Sequence, residues 1–222
     1  MSLAGSGAIC IWNDIAPEGR AEFYAWHLHE HMPERAAVPG FLRSRRFIAL
    51  DNATKPEFFT LYETRDPGVH TSEAYLARLN APTPWTKTAT QAFRNTSRAL
   101  THVEASLGPG AGGVLATLRL SVISGREEEA WRRITGEILP ELAGMAEITG
   151  AHLCRTNRDA SASRTAESRD RTDILEAPDW VILIEACNEA PARKAATRAQ
   201  EALDTVLDRP AIAGFYRLEY QC

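Results

Sequence analysis

The feature that most constrains the fold is an internal repeat, because one order of predicted elements occurs twice along the chain. Strand alternation and helical periodicity give the order β-α-β-β-α-β in residues 7–106 and again in residues 114–220. Between them, residues 108–113 have the Gly-Pro-Gly-Ala-Gly-Gly composition of a flexible linker. Two local matches at equivalent positions indicate a duplication: Glu30–Glu34 with Glu137–Glu141, and Pro56–Glu63 with Pro178–Glu185.

Each repeat predicts a ferredoxin-like unit, in which two helices cover one face of a four-stranded antiparallel sheet. The first unit spans residues 1–107 and the second spans residues 114–222. The face of each sheet without helices needs an apolar partner, so we expect the two sheets to pair into one barrel-type core. The predicted fold class is therefore α+β, with two fused units.

The two halves differ by one insertion, residues 156–178, which we call the inserted segment. It is rich in arginine, serine, aspartate and threonine and nearly free of large apolar side chains. Such a composition buries too little surface to order itself, so it predicts a mobile loop. An exposed hairpin extension is the simpler interpretation, and a lid over a site is the alternative.

Charge and cysteine usage restrict the class of partner and the compartment. A net charge of −4 argues against a nucleic acid or an anionic membrane as the main partner. No apolar run approaches the roughly 20 residues that cross a bilayer, and no secretory signal is visible. Four widely spaced cysteines without a C-x-x-C pair indicate free thiols in a reducing compartment. We therefore expect a cytoplasmic protein with a small-molecule ligand, and the sequence leaves a homodimer open.

Three short motifs accompany the predicted topology: Phe23-x-x-Trp26, His31-x-Pro33-Glu34 and Pro39-Gly40-Phe41. Together they resemble the dimeric α/β-barrel superfamily and, within it, the EthD-like proteins. The likeness covers the first half by motif and the second half by architecture. It implies a small cavity between sheet and helices in each unit. The superfamily includes cofactor-independent monooxygenases, isomerases, cyclases and haem-handling proteins, so the resemblance implies a fold and leaves the activity open.

The repeat also draws attention to the first predicted helix, residues 19–38, which carries three histidines in five residues. In the second half the equivalent helix has an apolar stripe at helical spacing: Trp131, Ile134, Ile138, Leu142 and Met145. The same positions in the first half are Tyr24, His27, His31, Arg35 and Val38. Burying such polar groups without partners costs about 1–3 kcal/mol each, so we predict a polar or hydrated cavity there.

Three interpretations of these histidines remain open. In the first, His31 is a general acid or base in a small-molecule pocket, with His27 as a second catalytic candidate. The candidate substrate-binding residues are then Tyr24, Trp26, Arg35, Arg45 and His102. In the second, His27 and His31 bind a metal or haem, although no third ligand and no H-E-x-x-H motif is present. In the third they are structural or exposed, because a rival helix phase would turn them outward; it centres on Ala25, Leu28, Met32 and Ala36.

The predicted function is to bind a small aromatic or polyketide-like molecule in the first unit without a bound cofactor. Conversion of that molecule by a monooxygenase-, isomerase- or cyclase-like reaction extends this prediction. The substrate class comes from the resemblance alone. Two alternatives stay open, namely a haem- or metal-binding protein and a non-catalytic stress-response or assembly module.

Overall fold

The sheets of the two halves join into one closed barrel in the computed structural model, which describes residues 2–169 and 173–222. The eight strands are β1 (Gly7–Ile15), β2 (Phe41–Ala49), β3 (Phe58–Thr64), β4 (Phe93–Leu107), β5 (Val114–Leu120), β6 (Ile148–Thr156), β7 (Trp180–Ala186) and β8 (Ile212–Gln221). Around the barrel their order is β1-β3-β2-β8-β5-β7-β6-β4, and β4 pairs again with β1. All these pairs are antiparallel. Two of them, β2 with β8 and β4 with β6, join the halves, so the predicted α+β fold with paired sheets is confirmed.

The helices pack on the outer face of the barrel. Their bounds are Pro17–Gly19, Arg20–Trp26, His27–His31, Met32–Ala36, Pro67–Thr71, Glu73–Asn80, Pro84–Ala89, Thr90–Ala92, Glu127–Arg133, Ile134–Ile138, Leu139–Ala143, Arg158–Ala162 and Glu189–Leu203. Consecutive segments make one long helix over residues 20–36 and a second over residues 127–143. Across the described chain, no helix is both long and apolar enough to cross a membrane.

Both long helices contain a π-helical turn immediately before a proline-bearing segment. The turns are His27–His31 and Ile134–Ile138, and in each the next backbone N–H donates to the carbonyl five residues earlier. Pro33 and Pro140 each lack a backbone donor and crowd the carbonyl four residues before them, which favours the wider turn. Each long helix thus accommodates its proline with a π-turn, and the recurrence of this turn agrees with a duplicated unit.

The turn between the first long helix and β2 has a backbone conformation that favours glycine at position 40. The φ of Gly40 is +96°, a left-handed value that side chains rarely adopt. An added Cβ would also lie 2.6 Å from Val69 Cγ2. The Pro39-Gly40-Phe41 motif thus has a local structural reason that is independent of any ligand.

Strand alternation separates a barrel interior from an outer face that meets the helices. In the second half the outer face and helix 127–143 form a continuous apolar core that includes Ile134, Ile138 and Leu142. The first half has His27, His31 and Arg35 at the equivalent helix positions, and all three are buried. The rival helix phase is therefore not the one adopted, and the polar stripe faces the sheet.

The described parts of the inserted segment lie along β4 of the first half. Ser161 Oγ accepts a hydrogen bond from Leu100 N at 3.0 Å, and Leu175 N donates to Thr96 O at 2.8 Å. Residues 170–172 of this segment lie outside the described residues. The mobility predicted for the segment and its role as a lid both stay predictions.

Candidate functional site

A cavity of about 420 Å³ lies between the outer face of the first sheet and the first long helix. Strands β1, β3 and β4 supply one wall, the helix supplies a second, and the inserted segment supplies a third. The cavity therefore occupies the place where the second half packs its apolar helix stripe. Four of the predicted site residues line it: Trp26, His27, His31 and Arg35.

The π-turn aligns the two inward histidines on one face of the helix. Their ring centroids are 5.3 Å apart and the planes differ by 18°, so the rings stack. Phe23 stacks on the other side of His27 at 5.0 Å, and Trp26 lies 4.3 Å from His31 between ring centroids. Trp26 is itself fixed, because its Nε1 donates to Thr86 Oγ1 at 3.1 Å. The result is a rigid aromatic wall with an imidazole on the cavity side.

The tautomer of His27 follows from its neighbour Arg46. Arg46 Nη1 lies 3.4 Å from His27 Nδ1, and a guanidinium can only donate, so Nδ1 accepts and Nε2 carries the hydrogen. Burial, followed by the charges of Arg46 and Arg35, lowers the pKa of His27 well below its usual value. His27 is therefore neutral near pH 7, with its basic nitrogen already occupied.

Arg35 and Tyr62 bring unsatisfied donors to the cavity. Arg35 is buried, and its Nη2 forms an ion pair with Glu167 of the inserted segment. Within residues 2–169 and 173–222, neither Arg35 Nη1 nor Tyr62 Oη has a hydrogen-bond partner. Leaving a buried donor unsatisfied costs about 1–3 kcal/mol. A ligand oxygen in the cavity would remove that cost.

Comparison with solved structures covers the whole chain. An anthrone oxidase-like protein aligns with a TM-score of 0.64 at 11% identity, over 100% of this chain and 95% of that one. A candidate monooxygenase from Lactobacillus acidophilus NCFM aligns with a TM-score of 0.60 at 12% identity, over 98% and 96%. The chain has the dimeric α/β-barrel fold.

A chlorite dismutase variant from Candidatus Nitrospira defluvii also aligns, with a TM-score of 0.54 at 7% identity, over 97% of this chain and 91% of that one. Identities this low establish the dimeric α/β-barrel fold and nothing about the reaction. No protein-family model matches the sequence, and no curated protein sequence matches it. The narrower resemblance to EthD-like proteins stays a prediction.

Tyr24 lies beside the cavity of this α/β-barrel and does not line it. Its hydroxyl donates to Glu219 Oε1 at 3.1 Å, and the Arg46 guanidinium lies 4.7 Å from its ring centroid. Glu219 also pairs with Arg46 at 3.3 Å. Tyr24 thus belongs to the group that holds Arg46 against His27, and its effect on a ligand would be indirect.

Arg45 lies on the opposite side of the sheet, in the barrel interior, and does not line the cavity. Strand alternation points Arg43 and Arg45 inward, and Arg45 is fully buried. Its two terminal nitrogens donate to Glu185 at 2.8 and 3.0 Å, and its Nε donates to Glu63 at 3.0 Å. The anionic groups that Arg45 holds are therefore carboxylates of the protein itself.

His102 also lies away from the cavity. Its side chain is 49% exposed, and its Nδ1 lies 3.1 Å from Glu104 Oε1. His102 is on β4, and this strand supplies cavity residues at the earlier positions 96 and 98. Nothing in this position brings its imidazole to the ligand side.

Sequence reasoning did not identify several lining residues, among them Asn13, Thr60, Tyr62, Tyr75, Arg98 and Glu167. For two of them a signal was present in the duplication. The match of Pro56–Glu63 with Pro178–Glu185 aligns Thr60 with Ile182 and Tyr62 with Ile184. The histidines were identified because their equivalents in the second half are apolar. The same comparison identifies Thr60 and Tyr62 on this strand.

The surroundings of His27 do not fit a role as a metal or haem ligand. Among the described residues, no group of three histidine, cysteine, aspartate or glutamate side chains could hold a metal ion. His27 has its Nδ1 engaged by Arg46 and its ring covered by Phe23 and His31. An axial haem ligand needs an accessible imidazole lone pair, so His27 does not fit that role.

Proposed function

We propose that the first half of this α/β-barrel binds a small aromatic molecule with oxygen substituents. We further propose that His31 moves a proton on that molecule, without a bound cofactor. The observation that carries this proposal is a pair of donors, Arg35 Nη1 and Tyr62 Oη, that have no partner among the described residues and lie in a cavity walled by aromatic rings. Oxygen acceptors on a flat apolar body complement that combination.

The size and shape of the cavity support an aromatic ligand. Its volume of about 420 Å³ falls within the roughly 300–1,000 Å³ of small-molecule sites. Trp26, Tyr62 and Tyr75 contribute ring surface to its lining. Aromatic pairs are favoured in offset or edge-to-face contacts, which such walls offer to a planar ligand.

The positions of the polar groups suggest how a proton would move. His31 and Tyr62 have their ring centroids 6.5 Å apart across the cavity lining. A ligand whose carbonyl or phenol oxygen accepts from Tyr62 would present a neighbouring acidic hydrogen to His31. The charge that develops on the oxygen would be stabilised by the Arg35 guanidinium.

The name of one fold neighbour agrees with the proposed ligand class. That neighbour is the anthrone oxidase-like protein. Anthrone is a tricyclic aromatic ketone, which is the kind of molecule that the cavity would accept. The agreement supports the ligand class and does not by itself assign a reaction.

Replacing Tyr62 by phenylalanine should weaken ligand binding about tenfold without loss of stability. The variant removes one hydroxyl that has no hydrogen-bond partner in the described chain, so the folded state loses no bond, whereas the complex loses one. Affinity should be measured by calorimetry for hits from a panel of naphthoquinones, anthrone and phenolic acids. Thermal unfolding should be measured on the same samples.

Ser44→Ala is the matched control for this experiment. Ser44 Oγ is also buried without a partner in the described chain, and Ser44 is not a cavity residue. The control should leave affinity unchanged. Equal affinities for wild type and Tyr62→Phe, or a panel without any hit, would contradict the proposal. Haem and zinc belong in the panel, because a Soret band or stoichiometric metal would favour the other interpretation.

A further inference from the structure

We infer that the ligand of the first-half cavity carries a carboxylate group, and that Arg98 with Thr96 and Arg35 forms the subsite for it. This inference rests on the proposed function, since it names the chemical class within the same cavity. It starts from Arg98, a half-buried residue of β4 that lines the cavity. In the described chain the Arg98 guanidinium forms no ion pair and no hydrogen bond, and its Nε is buried.

Arg98 differs from the fully buried arginines of the barrel, which have carboxylate partners, and from the half-buried Arg119, whose Nη2 donates to Lys55 O at 2.7 Å. Arg45 is held by two glutamates, Arg46 pairs with Glu219, and Arg35 pairs with Glu167. Burying a charge without a partner is costly, so folded proteins pair such groups with a counter-charge or a ligand. Among the described residues, no carboxylate forms an ion pair with the Arg98 guanidinium.

Thr96 places a second donor beside Arg98. The two residues are two positions apart on β4, so their side chains leave the same face of the strand. Thr96 is buried, lines the cavity, and its Oγ1 has no hydrogen-bond partner within the described ranges. One strand thus presents a cation and a hydroxyl donor to the cavity from the same face.

Arg35 reaches the same region from the helix. Its Cζ lies 6.0 Å from the ring centroid of Tyr75, another lining residue. Burial raises the pKa of Tyr75, and the charges of Arg98 and Arg35 both oppose that rise. Arg35, Arg98 and Tyr75 line the same cavity, so an anionic ligand in it would be attracted by both arginines.

The described lining contains more arginines than glutamates. The lining includes four arginines and two glutamates: Arg35, Arg98, Arg158, Arg164, Glu167 and Glu176. Glu167 compensates Arg35, and Arg158 pairs with Asp179. A neutral ligand would leave Arg98 uncompensated, whereas an anionic ligand would form a charge-assisted hydrogen bond to it.

The test compares an acid with its neutral amide, namely 1-hydroxy-2-naphthoate and 1-hydroxy-2-naphthamide, by calorimetry on the full chain. The two probes share the aromatic body and the phenol, so they differ only at the proposed subsite. We expect the acid to bind wild type at least about tenfold more tightly than the amide. Arg98→Gln should bring this ratio close to one while leaving the affinity for the amide unchanged.

Arg94→Gln is the control for loss of one positive charge. Arg94 is exposed on the same strand, donates to backbone carbonyls and does not line the cavity. It should keep the wild-type ratio. Equal binding of acid and amide to wild type, or an unchanged ratio in Arg98→Gln, would overturn the carboxylate subsite while the proposed aromatic site stands. Failure of both probes, with neutral quinones binding, would overturn the subsite alone, and failure of every compound would overturn both.

Discussion

Replacing Glu185 by glutamine is expected to lower the free energy of unfolding by about 3–5 kcal/mol. Glu185 is fully buried. Its carboxylate accepts hydrogen bonds from both terminal nitrogens of Arg45, at 2.8 and 3.0 Å, and from the backbone N–H of Gly112, at 2.9 Å. The neutral amide of glutamine removes the main counter-charge of Arg45. It also places an N–H donor against the guanidinium, which has no acceptor. Urea denaturation at pH 7 measures the effect.

Glu141→Gln provides the comparison for this variant. Glu141 pairs with Arg198 in the same bidentate manner, at 2.6 and 3.1 Å, but both groups are exposed to water. Exposed pairs contribute little, so this variant should unfold with the wild-type midpoint. A Glu185→Gln variant as stable as Glu141→Gln would contradict the stabilisation assigned to the buried ion pair between Arg45 and Glu185.

The pH dependence of the same pair follows from the pKa of Glu185. Burial alone would raise this pKa, but the hydrogen bonds from His152 and Arg45 outweigh burial and lower it from 4.5 to about 2. A depressed folded-state pKa means that the stabilisation is present above pH 4.5 and is lost as the pH falls from 4.5 towards 2. The difference between wild type and Glu185→Gln should therefore shrink across that range.

The buried ion pairs of Arg45 also explain how a duplicated sequence becomes one barrel. Glu63 and Glu185 occupy equivalent positions in the two halves, and Arg45 of the first half contacts both. The contact closes the interior between the halves in addition to the strand pairs β2–β8 and β4–β6. We therefore expect the two halves to unfold in one cooperative transition.

The second large effect concerns proton transfer. Wild type should accelerate the exchange of the C10 hydrogens of anthrone with solvent deuterium, and His31→Gln should reduce that acceleration about 10²–10⁴-fold. Anthrone has a ketone oxygen for Tyr62 and Arg35 and an acidic carbon for His31. Glutamine keeps a polar group of similar length but accepts no proton. The exchange is followed by NMR under anaerobic conditions.

His29→Gln is the control for the exchange experiment, because His29 belongs to the same helix and is exposed. Its exchange rate should equal that of wild type. Wild type that fails to accelerate exchange, or a His31→Gln variant that exchanges at the wild-type rate, would remove His31 from the proposed reaction. Binding of the ligand could still hold in that case.

The architecture was predictable because it repeats simple patterns. Period-two alternation identified the strands, and two equivalent sheets with bare faces predicted their pairing. The same duplication predicted that His27, His31 and Arg35 face the sheet, since it provided an apolar version of the same helix for comparison. That reasoning needed only local pattern, which the sequence contains.

Other parts of the site depend on long-range placement that no local pattern contains. Arg45 sits on a strand whose two faces differ only in what the rest of the chain packs against them, so its side could not be read from spacing. Glu167 lies in the inserted segment, and its contact with Arg35 spans 132 positions. Arg98 becomes a candidate site residue only in the folded structure, where it lines the cavity and has no partner among the described residues.

The most direct test of the whole account is thermal unfolding of wild type and His31→Ile, each with and without the ligand panel. Isoleucine is what the second half has at this position, so the variant converts the polar cavity towards the apolar core of its duplicate. We expect His31→Ile to unfold a few degrees higher, corresponding to about 1 kcal/mol, and to lose the ligand-dependent shift of wild type. A lower unfolding temperature, together with no shift of wild type by any compound, would show that His31 is a structural residue.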